Sequence, residues 1–303
     1  MKIGLTSYSM VNRIKEGMSI IDVMKFSKEK DCEHIEIVPF GFTLHDDATG
    51  EFNEELIAEI KKVSAELDLP VSNYAVLGDL LKFDDAERNA EISRLKKHID
   101  VAAKLGISLM RHDISSFRRP LESNTPSSFE REFPMMVSAT QELADYAKNF
   151  GITTMVENHG FFVNGSDRVI RLIESVDRDN FGLLLDTGNF ACVDEDCLVA
   201  VKKCVPYAKM VHLKDFYIRK TSALPTIGGL FRCDSGSWFS SNSGEYMLRG
   251  SILAQGDLDI KGSLDLINDA NYDGYVSVEF EGMETGEAGS EAGLMAAREF
   301  GKR

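Results

Sequence analysis

The chain has 303 residues, 43% hydrophobic and 27% charged, which is ordinary globular usage; it excludes a disordered polypeptide and leaves enough apolar material for a large core. Thirty-four basic against 49 acidic residues give a net charge of −15, a field that repels phosphate backbones and argues against general nucleic-acid binding. No run approaches the roughly 18 apolar residues of a membrane helix, and the opening MKIGLTSYSM lacks the apolar stretch of a secretory leader. The expected location is the cytoplasm, with neither membrane nor nucleic acid as partner. Cys32, Cys192, Cys197, Cys204 and Cys233 are odd in number and include no C-x-x-C pair, so free thiols are expected rather than a disulfide framework or zinc ribbon.

In chain order, a β-rich run at 2–6 leads to a helical pattern at 19–30, then a strand at 34–38 and a helix at 53–67. A strand at 70–76 precedes a helix at 85–105, and a strand at 107–111 a helix at 128–150. Strands at 152–157, 181–186, 209–213 and 275–280 are followed or preceded by helices at 166–175, 198–205, 264–270 and 288–300. Gly106 and Gly151 follow two of the helices, where C-terminal stop signals belong. Runs such as FGLLLD and ITTMVE are nearly continuous apolar segments, the mark of parallel strands buried on both faces. Length alone permits one domain or two, but eight successive βα units favour a single closed (β/α)8 TIM barrel over 1–303. An open doubly wound sheet would give a similar string, yet no Gly-x-Gly-x-x-Gly turn follows the first strand.

One connection departs from the repeat. Residues 217–256, between strands 7 and 8, are rich in Gly and Ser and hold the chain's one tryptophan, Trp238. The segment shows no clear periodicity and carries Leu224, Phe231, Trp238, Phe239 and Tyr246, so it reads as a lid over the barrel mouth or an oligomer-contact loop.

Barrel enzymes place chemistry where the strands end. Four consecutive strands end in VENHG, LLLDTGN, VHLKD and VSVEFEG, setting Glu157, Asp186, His212 and Glu279 directly after apolar stretches. Side chains two apart share a strand face, which pairs Glu157 with His159, His212 with Lys214 and Glu279 with Glu281. Three carboxylates and an imidazole converging on the mouth would repel one another without a counter-ion, and a divalent cation removes most of that cost. Three oxygen donors, one nitrogen and no thiolate favour Mn²⁺, with Mg²⁺, Co²⁺, Fe²⁺ and Zn²⁺ compatible.

With VENHG, LDTGNF, VHLKDF and SVEFEG in this order, the chain resembles the xylose-isomerase-like barrel superfamily, in particular the sugar phosphate isomerases/epimerases, over nearly its whole length. The resemblance implies that Glu157, Asp186, His212 and Glu279 match the family's metal ligands, and that Glu157 and Glu279 also match the paired glutamates of ketose epimerases. Asn189 stands where many relatives carry histidine, a departure from the inosose dehydratases and the multi-zinc abasic-site endonucleases. The expected activity is a metal-dependent isomerase or epimerase abstracting a proton next to the carbonyl of a keto sugar or related polyol. The alternatives are a lyase of the same superfamily and a non-catalytic barrel scaffold. The lyase would be an inosose-type dehydratase, or a C-glycoside deglycosidase large subunit acting on 3-keto glycosides with a small partner subunit; either could use His159.

Lys214, Arg111, His112, Asn189 and Trp238 are expected substrate contacts, with structural ion pairs as the competing role for Arg111, His112 and Lys214. Glu36 is a further polar residue on strand 2. His34 and His98 read as core or surface residues, Arg249 as a solvated charge or an anion contact, and the charges of the helix at 85–105 as a solvated face. A homo-oligomer is expected.

Overall fold

A computed structural model of the chain describes residues 1–82, 84–117, 119–223 and 238–302. Eight parallel strands, β1 (Lys2–Thr6), β2 (Ile35–Ile37), β3 (Val71–Val76), β4 (Leu109–His112), β5 (Thr153–Glu157), β6 (Phe181–Asp186), β7 (Ala208–Leu213) and, last in the chain, β11 (Tyr275–Val278), close into a barrel in the order β1-β11-β7-β6-β5-β4-β3-β2. Around it run α1 (Val11–Lys15), α2 (Ile20–Glu29), α3 (Glu54–Glu66), α4 (Asp85–Leu105), α5 (Pro126–Lys148), α6 (Ser166–Val176), α7 (Cys197–Cys204), α8 (Ile260–Asp269) and α9 (Gly286–Phe300). The architecture is the single (β/α)8 barrel expected from the repeat.

Two apolar layers hold the barrel. One strand face meets the helices in a continuous core that includes Leu5, Ile35, Leu143, Leu183, Leu185, Val211 and Val276. The other points inward, where Met155, Leu184 and Met210 form a separate cluster with Leu109 and Tyr275 packed against it. Each of the first three lies two residues before Glu157, Asp186 or His212, so the pleat that buries them carries the next inward side chains up to the mouth.

Helix starts differ from the periodic pattern wherever a cap lies a turn upstream. α5 begins at Pro126 because the Thr125 hydroxyl accepts from Ser128 N–H and proline fits the first turn; Asp259 and Thr285 likewise start α8 and α9 at Ile260 and Gly286. Capping involves residues on the solvated side, which apolar periodicity does not register. Gly106 ends α4 in the left-handed region at φ 76°.

The described part of the 217–256 connection, 217–223 and 238–256, is more regular than its composition suggests. β8 (Asp215–Lys220), β9 (Phe239–Ser240) and β10 (Tyr246–Ser251) form a small antiparallel sheet in the order β8-β10-β9, with Asp215 opposite Ser251 and Lys220 opposite Tyr246. Phe216 and Leu248 are buried against Ala191 and Cys192 in the turn after β6. The alternation of DFYIRK and YMLRGS is that of a ribbon covered on one side. Trp238 is half-buried with the Arg249 guanidinium over its ring at 5.4 Å; Leu224 and Phe231 lie outside the described residues. Among the described residues no helix is long and apolar enough to cross a membrane, and Cys32, Cys192, Cys197 and Cys204 are free thiols.

Candidate metal centre and active site

Each of the four strand-end residues is set by its own local structure. Asp186 closes β6, where Asn158 brackets its peptide unit, donating to the Asp186 carbonyl at 2.9 Å and accepting from its N–H at 2.8 Å. Its Oδ1 then accepts from the Gly188 and Asn189 N–H groups, both at 2.8 Å, so the turn fixes the carboxylate and leaves Oδ2 unpartnered. Gly188 is required by close approach: a Cβ there would meet the Lys214 carbonyl oxygen at 2.8 Å.

His212 pairs in register with Asp186 on one side and Ser277 on the other. Its Nε2 lies 2.6 Å from Glu36 Oε2, and Glu36 is held in turn by Asn73 Nδ2 at 2.7 Å. That carboxylate orients the imidazole so that Nδ1, which has no hydrogen-bond partner, faces Glu279 Oε2 at 3.5 Å and Glu157 Oε1 at 4.0 Å. Glu279 follows β11, and its Oε2 contacts the Lys214 ammonium at 2.8 Å. Glu157 ends β5, contacting Arg111 at 2.7 Å and accepting from Asn189 Nδ2 at 3.1 Å.

One donor atom each from Glu157, Asp186, His212 and Glu279 lies within 4.8 Å of the others. The structure therefore brings together the four residues expected from the strand ends. Buried Asp186 Oδ2 and His212 Nδ1 lack a hydrogen-bond partner, and buried polar atoms are rarely left so. Three oxygen donors and one nitrogen with open valence at a single point fit a divalent cation.

The charges show the same deficit. Burial pushes the Asp186 carboxyl up to about 7, with Lys214 drawing it down and Glu279 and Glu157 adding to the rise. Burial also opposes ionisation of Glu279, yet Lys214 and His212 beside it hold its carboxyl well below the usual range. Lys214 is raised well above an ordinary lysine, despite burial, by Glu279, Glu281 and Asp186. Its ammonium stands 2.8, 3.0 and 3.7 Å from those three carboxylates.

Beside the quartet opens a cavity of about 230 Å³ whose described lining includes Tyr8, Glu36, Arg111, Phe117, Glu157, His159, His212, Lys214, Glu279 and Glu281. Of the expected substrate contacts, Lys214 and Arg111 reach this wall. Asn189 instead bonds the ligand set, accepting from Lys214 at 3.4 Å as well as donating to Glu157. His112 points away: it is fully buried, its Nδ1 on the Asp113 carbonyl oxygen and its ring stacked on Phe181, as strand alternation requires of the neighbour of an inward Arg111. Trp238 is not among the described lining residues. His159 lies at the wall with 29% of its side chain exposed and Nδ1 3.2 Å from Asp113 Oδ1. Burial works against its charge, but Asp113 outweighs it and raises the imidazole above its usual range. Arg111 ties this pair to the quartet by touching Asp113 at 2.6 Å and Glu157 at 2.7 Å.

Asp113 and Tyr8 went unread in the sequence. Asp113 follows the β4 end and carries the same strand-end signal as the quartet; Tyr8 lies in a 3-10 turn after β1, and no pattern marks it.

Residues 25–300 match the family described as xylose isomerase-like TIM barrel. The chain belongs to that family. Among its relatives, an inosose dehydratase from Mesomycoplasma hyopneumoniae (strain J) is 24% identical over 232 residues, covering 75% of this chain and 72% of the relative. The family fold recurs in a D-allulose 3-epimerase from Methylomonas sp. (TM-score 0.71, 16% identity, 99% of this chain and 98% of that one). It recurs again in a xylose isomerase-like TIM barrel protein from Mycobacterium smegmatis in complex with magnesium (TM-score 0.70, 17% identity, 99% and 96%). The same barrel fold thus occurs in an epimerase and in a magnesium-bound protein.

Proposed function

We propose that this member of the family is a divalent-cation-dependent isomerase or epimerase that removes the proton next to the carbonyl of a keto sugar or related polyol. The reading is carried by the convergence of Glu157, Asp186, His212 and Glu279 within 4.8 Å, with buried Asp186 Oδ2 and His212 Nδ1 lacking a hydrogen-bond partner. The donor set favours Mn²⁺, with Mg²⁺, Co²⁺, Fe²⁺ and Zn²⁺ compatible. When bound, such a cation supplies Lewis-acid stabilisation of the negative charge that develops on the substrate oxygens.

The protein's own groups handle the proton. Glu157 and Glu279, each oriented by a cation, Arg111 and Lys214 respectively, are the carriers. One takes the proton from carbon and the other returns it. Return to the opposite face of the same carbon inverts that centre; return to the former carbonyl carbon, with the neighbouring hydroxyl giving up its proton and the old carbonyl oxygen gaining one, moves the carbonyl. Each acid–base role contributes on the order of 10² to 10⁴ in rate. Lys214, which reaches the cavity wall, also binds substrate oxygen in exchange for its longer contact to Asn189, and Tyr8 and Glu281 complete that side of the wall.

A second reading, dehydration, is favoured by His159, whose Nδ1 is engaged by Asp113 while part of its ring stays open at the cavity wall. A histidine so held can deliver a proton to a departing hydroxyl. The two readings separate when cation-loaded protein is incubated in D₂O with ketoses and inososes. Solvent deuterium at carbon without loss of water supports the isomerase or epimerase; loss of water transfers the assignment to the dehydratase. Glu157→Gln and Glu279→Gln must each abolish label exchange. If exchange survives in both, or the wild type shows neither metal nor exchange, proton transfer by these carboxylates is wrong and a scaffold role is left.

A further inference from the structure

We propose that His45, Asp47 and His98 form a second divalent-cation site, between the β2–α3 connection and α4, separate from the strand-end quartet. One donor atom from each lies within 4.8 Å of the other two. Asp47 Oδ1 stands 3.0 Å from His45 Nδ1 and 3.2 Å from His98 Nε2. These hydrogen-bond separations also match the ligand–ligand edges of roughly 3.0–3.4 Å that result when nitrogen and oxygen bind a cation at about 2.0–2.2 Å.

The supports around the three residues are those of a built site. His98 lies on α4, and its other ring nitrogen, Nδ1, is 2.9 Å from the Tyr74 hydroxyl, which fixes the ring with Nε2 turned to Asp47. Asp47 Oδ2 accepts from Arg94 at 3.2 Å, and Arg94 is anchored by Glu91 at 2.8 Å and the Leu77 carbonyl at 2.7 Å. Arg94, expected on a solvated helix face, instead turns inward to this loop because two carboxylates and a carbonyl await it there. His45 is 6% exposed, tilted against Phe52, and its Nε2 is buried without a hydrogen-bond partner. The nitrogen of this ring turned to Asp47, and so to the cation, is Nδ1.

Two imidazoles and one carboxylate with no thiolate suit Zn²⁺, Co²⁺ or Fe²⁺ better than the oxygen-seeking Mg²⁺. All three side chains line a cavity of about 650 Å³, which shares Val38, Phe40, Ala75, Leu77 and Arg111 with the cavity beside the quartet. A cation here pins the β2–α3 loop to α4 and so fixes one wall of the entrance to the active site.

The test is metal counting on chelator-stripped protein titrated with Zn²⁺. Wild type is expected to bind two equivalents, and His45→Gln or His98→Gln one. The double variant Glu157→Gln/Asp186→Asn should keep one equivalent, whose X-ray absorption spectrum reads two imidazole nitrogens. A single equivalent in wild type that the Glu157→Gln/Asp186→Asn variant loses overturns the proposal. So does a second equivalent that both histidine variants retain, or an oxygen-only shell in the double variant. The spectrum needs no change at the triad, so misfolding of the histidine variants does not blunt the result.

Discussion

Glu36 offers the sharpest check on how the proposed metal centre is built. It is wholly buried, 2.6 Å from His212 Nε2 on one oxygen and 2.7 Å from Asn73 Nδ2 on the other. Glu36→Gln removes the charge and leaves one acceptor where two donors point. Asn73 Oδ1 has no partner in the native protein, so Asn73 can turn its amide, accept from the new glutamine and restore the pairing. What remains lost is the difference between a charged and a neutral acceptor, about 1–2 kcal/mol. Glu36→Ala removes both contacts and frees the imidazole, for which loss of a ligand's supporting carboxylate costs about 10- to 100-fold in metal affinity. Titration calorimetry with Mn²⁺ should therefore rank wild type above Glu36→Gln, roughly tenfold weaker, and Glu36→Ala weakest. Asn73→Ala should fall between wild type and Glu36→Ala. Unchanged affinity in Glu36→Ala with intact secondary structure would refute the view that Glu36 orients a ligand.

Two further predictions concern the closed end of the barrel. His34 is fully buried, with Nδ1 2.8 Å from Ser72 Oγ and Nε2 3.2 Å from the Val276 carbonyl oxygen, and burial drives its imidazole from 6.5 down to about 4. Between those values the unfolded chain binds a proton that the folded one refuses, so stability present above pH 6.5 drains away as pH falls towards 4, by up to about 3 kcal/mol. Urea unfolding across this window should show the loss, and His34→Gln should flatten it; an equally steep acid limb in the variant would exclude His34 as its source. Gly4→Ala puts a Cβ within 2.7 Å of the His34 ring and closer still to the His34 carbonyl oxygen. Overpacking of this kind costs about 1–3 kcal/mol, measurable as a lower denaturation midpoint, and an unshifted midpoint would show that the strand ends yield at no cost.

The barrel and the convergence of its four strand-end residues were legible because both follow from local rules. A strand buried on both faces needs an unbroken apolar run, and a polar residue that ends such a run must lie at the mouth. Period-two alternation then sorted Arg111 inward and His112 outward once the pleat of β4 was known. The antiparallel ribbon at β8–β10 was not legible: its alternation is short, and the face it covers is made by residues distant in the chain, among them Ala191 and Cys192.

What the amino-acid order determined by itself was the succession of βα units and the four donor residues at their ends, because each of those signals lies within a few consecutive residues. What only the tertiary structure decided was who stands beside whom: Glu36 against His212 across 176 positions, Asp113 and Arg111 behind His159 and Glu157, and His98 of α4 meeting a loop some fifty residues earlier. Such pairings depend on barrel closure and strand register, which are set by the packing of the whole core and leave no mark on the local pattern of either partner.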